Sequence, residues 1–165
     1  MAAEQPSIRE DDLVSTPRSG SGRIVVGVDG SAHSQEALRW AVGQARLSGG
    51  TVEAVISWSI PVDFGLGGAG VLVSYDWEGV AVASLRDAVA HALDPADAEQ
   101  VSQQVVMGHP ATVLLDASAE ADLLVVGSRG RGGFTGMLLG STSQHVIARA
   151  ACPVVVVRAA EDTIG

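Results

Sequence analysis

Short apolar runs separated by stretches of helical periodicity constrain this chain more than any other feature. Ile24-Val25-Val26-Gly27-Val28 and Leu123-Leu124-Val125-Val126-Gly127 are rich in β-branched residues and lack polar alternation, as strands covered on both faces do. Residues 52–58, 101–107 and 153–157 supply three more strands. Between them, Ala37, Leu38, Ala41, Val42 and Ala45 recur at helical spacing, as do Val82, Leu85, Val89 and Leu93, and Val113, Leu114, Ala117 and Ala121. Strands alternating with helices at this spacing predict parallel βαβ units, hence an α/β fold with an open five-stranded parallel sheet and helices on both faces. The order of strands across that sheet does not follow from periodicity.

The expected domain runs from residue 23 to 160. Residues 1–22 are rich in Ser, Pro, Gly and acids, show no periodicity and read as a disordered tail. Residues 59–77 form a long, glycine-rich and nearly uncharged connection, read as a lid or a loop. Helices are expected over 34–47, 78–93, from Pro110 onward, and over 141–150, with Pro95 marking the end of the second.

Charge and composition exclude several functions. The formal net charge is −9, so the field of the chain repels polyanions, and no nucleic-acid partner is expected. All the basic residues are arginine, which removes P-loop and Schiff-base mechanisms that need lysine. His33, His91, His109 and His145 lack metal-ligand spacing. The single cysteine, Cys152, reads as a small buried residue. Acidic residues 10–12 stand where a signal peptide would need an apolar core, and no apolar run is long enough to span a membrane. A cytoplasmic setting with no membrane partner is the expectation.

The residues that point to a function follow the fourth strand. Gly127-Ser128-Arg129-Gly130-Arg131-Gly132-Gly133 opens a loop that ends at Gly140-Ser141-Thr142-Ser143, where a helix begins. Glycines there let backbone N–H groups approach a phosphate, and the helix start adds unpaired N–H groups, the positive end of its dipole and hydroxyl donors. A glycine-rich loop alone is also ordinary punctuation, so this argument by itself leaves binding and mere turning equally open. The Rossmann fingerprint fails at Thr135, and a nucleophile elbow fails at Val126.

The spacing Gly127-x2-Gly130-x9-Gly140-Ser141 resembles the G-x2-G-x9-G-S/T pattern of ATP-binding members of the universal stress protein family. The resemblance runs from Arg23 to Arg158 and includes IVVGVDGS from Ile24 to Ser31, DLLVVGSRGRGG and the ending CPVVVVR. It implies strand order 3-2-1-4-5, which sets Asp29 and Gly127 on opposite lips of one crevice at the switch point. It further implies that Gly127 and Gly130 line the ribose and first phosphates, and that Gly140, Ser141 and Thr142 hold the outer ones. Ser128, Gly132 and Gly133 belong to the same loop. Arg129 and Arg131 would neutralise phosphate, although loop arginines are more often solvated.

Asp29 would accept from ribose hydroxyls or share Mg2+ or Mn2+ with the phosphates; the structural alternative is a turn or capping residue before the first helix. Gly27 would permit close approach, and adenine would lie near Ile56 and Ser57. Trp58 and Trp77 read as core packing rather than base stacking, and His33 as a weak pocket candidate. The implied function is a regulatory, stress-response nucleotide binder using ATP, with no catalytic residue assigned and at most slow hydrolysis. The alternatives are a weak ATPase or a sensor of AMP or cyclic AMP. The resemblance also implies a homodimer through the last strand, residues 153–158.

Overall fold

The computed structural model describes residues 22–60, 75–132 and 137–160. The tail before residue 22, the centre of the 59–77 connection and Gly133 lie outside the described residues. In chain order the elements are β1 Arg23–Gly27, α1 Ala32–Ser48, β2 Thr51–Trp58, α2 Trp77–Ala92, α3 Pro95–Ala98, β3 Val101–Met107, α4 Pro110–Ser118, β4 Leu123–Gly127, α5 Ser141–Arg149 and β5 Val154–Val157.

The strands form one parallel sheet in the order β3-β2-β1-β4-β5. Alternation along β1 sorts its side chains between two cores. Ile24 and Val26 join Leu38, Ala41, Leu85 and Val89 under α1 and α2, whereas Val25 joins Val113, Leu114, Leu124 and Val146 under α4 and α5. Ala37, Ala41 and Ala45 form the small-residue face of α1 that packs over β1 and β4. Leu38, Leu85 and Leu124 are fully buried, and truncating one of them to alanine would cost about 2–5 kcal/mol.

Local chemistry sets the helix ends. The Ser31 hydroxyl accepts from the Ser34 N–H at 3.3 Å to start α1, and Gly49, at φ 69°, ends it in the left-handed conformation. Arg39 ties α1 to the end of α2 by donating to the Ala92 carbonyl at 2.9 Å, and Arg46 pairs with Asp97. The short α3 was not expected. Pro95 both follows α2 and opens α3, where the Asp94 carboxylate accepts from the Asp97 N–H at 2.9 Å. No described helix is long and apolar enough to cross a membrane.

β1 sits between β2 and β4, and α1, which follows β1, and α5, which follows β4, pack on opposite faces, so the chain diverges at the carboxyl ends of β1 and β4. That divergence opens a crevice there.

Candidate functional site

Two loops form the lips of this crevice. On the β1 side, Asp29 folds back on its own turn: Oδ1 accepts from the Ser31 N–H at 2.9 Å and from the Ser31 hydroxyl at 2.6 Å. Its other oxygen, Oδ2, crosses the crevice to accept from the Arg131 N–H at 3.1 Å. Asp29 therefore braces the N-cap of α1 and pins the opposite lip. The cap itself is Ser31.

On the β4 side, the loop is anchored at both ends. The Ser128 N–H donates to the Val157 carbonyl at 2.7 Å, and the Gly140 N–H donates to the Ser128 carbonyl, also at 2.7 Å. The buried Ser143 hydroxyl donates to the Gly127 carbonyl at 2.7 Å, which fixes the first turn of α5 to the end of β4. Ser143 is thus structural. Gly140 is the N-cap of α5 and offers no side chain, so the cap residue itself supplies no side-chain acceptor to the opening N–H groups of that helix. The hydroxyls of Ser141 and Thr142 have no hydrogen-bond partner among the described residues.

The lips enclose a cleft of about 700 Å³. Gly27, Asp29, Ser57, Gly127, Arg129, Gly130, Arg131, Gly132, Gly140, Ser141 and Thr142 all line it, so most of the residues singled out in the sequence meet at one place. Ser128 does not line it: the residue is 1% exposed, and its hydroxyl has no hydrogen-bond partner among the described residues. His33 is also outside the lining; it is buried, and its Nδ1 accepts from the Ala159 N–H at 3.4 Å.

The cleft has two chemically distinct ends. Arg129, Arg131, the start of α5 and Asp29 supply the polar end, with two arginines against one carboxylate among the described lining residues of a chain whose net charge is −9. The local excess is positive and favours an anion. Val55, Ile56, Trp58, Val80, Ala81, Val113 and Leu114 supply an apolar end. Trp58 packs against the core and lines the cleft as well, and Trp77 lines it from the first turn of α2. The contributions of α2 and α4, including Ser84 and Pro110, carried no sequence signal beyond ordinary amphipathic spacing.

The glycines divide by function. A Cβ at Gly127 would come within 2.7 Å of His33 Cβ and 2.9 Å of the Ser34 backbone nitrogen, so this glycine lets β4 pack against the start of α1. A Cβ at Gly140 would make only ordinary contacts, the nearest at 3.5 Å, and its φ of −73° suits any residue. Nothing in the folded backbone demands glycine there. Among the described residues, no group of three or more His, Cys, Asp or Glu side chains could hold a metal ion.

Known proteins share this architecture. The chain is 39% identical over 154 residues to a universal stress protein of Mycobacterium tuberculosis, covering 92% of this chain and 50% of that protein. A second protein of that organism is 34% identical over 154 residues, with the same coverage. The chain spans about half the length of the curated relatives it matches. The fold is similar to that of a universal stress protein of Lactobacillus plantarum, at TM-score 0.71 and 24% identity, over 86% of this chain and 100% of that one. It is also similar to a universal stress protein solved in complex with cAMP, at TM-score 0.54 and 26% identity, over 86% and 100% of the two chains. The universal stress protein family model matches residues 20–158, and the chain belongs to that family.

Proposed function

We propose that the cleft binds an adenine nucleotide, with ATP the ligand that uses it most fully, and that the protein acts by binding rather than by catalysis. The uncapped start of α5, held beside two arginines at the charged end of a cleft whose other end is apolar, carries this reading. Phosphate oxygens would accept from the N–H groups and hydroxyls of Ser141 and Thr142, with the helix dipole adding attraction. The space over Gly140, which a side chain could occupy without strain, is where a phosphate would approach the backbone. The base would lie at the apolar end near Ile56 and Ser57. Stacking on Trp58 or Trp77 is open to it there.

Two features argue against efficient hydrolysis. Asp29 is the only Asp, Glu or His among the described lining residues, and its carboxylate already accepts three hydrogen bonds. A base for water activation would have to leave those bonds. Mg2+ or Mn2+ would arrive with the phosphates, because the described lining residues offer only Asp29 to it.

A second reading, a sensor of AMP or cyclic AMP, draws support from the relative solved with cAMP. Mass spectrometry of the nucleotide that copurifies, followed by competition calorimetry with ATP, AMP and cyclic AMP, separates the two. ATP retained and bound tightest supports the first reading; preference for a single phosphate selects the second. Any stress-response role would follow from ligand-dependent partners in the cytoplasm, where ATP is abundant. A homodimer through β5 belongs to the same proposal, since Val154–Val157 is a half-buried apolar strand at the sheet edge.

A further inference from the structure

We infer that Arg131 distinguishes nucleotides by their phosphate count, and this rests on the nucleotide reading of the cleft. The two lips of the crevice are interlocked. Asp29 reaches from the β1 side and lays Oδ2 against Gly130, where a Cβ would stand 2.6 Å from it. Arg131 reaches back from the β4 side and lays its guanidinium against Gly30, where a Cβ would collide with the terminal nitrogen and approach Cζ at 3.1 Å. Each lip thus sends one charged side chain across a glycine of the other. Gly30, at φ 80°, also adopts a backbone conformation that suits glycine.

This arrangement places a cation at the mouth of the cleft without neutralising it. Asp29 holds Arg131 through its backbone N–H, and the Arg131 guanidinium has no ion pair with any described residue. Arg23, Arg39 and Arg46 each pair with a carboxylate, and Arg129 is already engaged. Arg131 is exposed at the polar end of the cleft, whereas the apolar end has no part of it. A single phosphate can be met by the N–H groups and hydroxyls that open α5. Each further phosphate adds charge that those neutral donors meet poorly, and the planar guanidinium fork is suited to it.

The test measures ATP and AMP affinity by calorimetry for the full chain and for Arg131→Gln and Arg131→Lys, with magnesium present throughout and at two salt concentrations. Arg131→Gln is expected to weaken ATP about tenfold, the loss of a charge-assisted contact, while leaving AMP unchanged and flattening the salt dependence of ATP binding. Arg131→Lys should fall between the two, because it keeps the charge and loses the fork. An equal loss for both nucleotides would overturn the inference in favour of a purely structural clasp, and an unchanged ATP-to-AMP ratio would overturn it as well. If the unmodified chain binds neither nucleotide, the reading of the cleft itself fails, and that result precedes any variant.

Discussion

Gly127 lies so close to His33 that a single methyl group on it would come within 2.7 Å of the histidine Cβ and 2.8 Å of its carbonyl carbon. The neighbours are helix backbone, which cannot swing aside as a side-chain tip can. Gly127→Ala is therefore expected to destabilise the fold by about 1–3 kcal/mol, read as a lower midpoint in urea with an unchanged slope. Wild-type stability would show that α1 can shift as a body, and would return Gly127 to the list of residues whose smallness serves a ligand alone.

Gly140 should behave in the opposite way. Gly140→Ala meets no steric obstacle and changes only the N-cap of α5, so the expected cost is at most about 1 kcal/mol. Its effect should appear in nucleotide affinity, measured by calorimetry, as a clear weakening. Unaltered affinity would remove the argument that phosphate approaches the backbone there.

Asp29→Asn preserves an acceptor for Ser31 but can turn an amide N–H towards the Arg131 N–H, where Oδ2 now accepts. Losing that one bond should cost on the order of 1 kcal/mol. The informative readout is phosphate release from ATP. The unmodified protein and the variant should both remain at the protein-free background; release that requires Asp29 would make the protein a slow hydrolase.

Cys152 is half-buried, and burial raises the pKa of its thiol above the ordinary value. The folded state thus favours the neutral thiol. Its contribution to stability is present below the unfolded thiol pKa and is lost as pH rises through the folded one. Iodoacetamide should alkylate the native chain more slowly than the denatured chain at mildly alkaline pH, with the gap narrowing as pH climbs. Equal rates throughout would contradict a protected thiol.

Sedimentation tests the edge strand. A dimer mass that dissociates on dilution is expected, and Val156→Lys should shift the equilibrium to monomer by placing a charge on an apolar edge. A monomer at every concentration would exclude pairing through β5.

Much of the architecture was legible because parallel strands covered on both faces must be apolar throughout. Ile24–Val28 and Leu123–Gly127 were plain for that reason, while the sheet order came from family resemblance. Contacts made across the crevice were not legible. Gly127 read as a ligand-facing glycine; it lines the cleft and also packs against the α1 backbone, a partner about a hundred residues away that no local pattern reveals. Trp58 and Trp77 read as core packing at the flanks of the uncharged connection; Trp58 does pack against the core, and both also line the cleft. The α3 turn was hidden by Pro95, whose role after one helix masked its role before the next.

The hydrogen bond from Gly140 to the Ser128 carbonyl joins the two ends of the glycine-rich loop without regard to what lies between. Closing such a loop is insensitive to its length, since doubling the residue count costs only about 0.6 kcal/mol. A chain that needed nothing but a turn could lengthen or shorten it almost at will. Closure therefore leaves the length of the segment between Gly130 and Gly140 to be set by a ligand, on the reading that the cleft binds one.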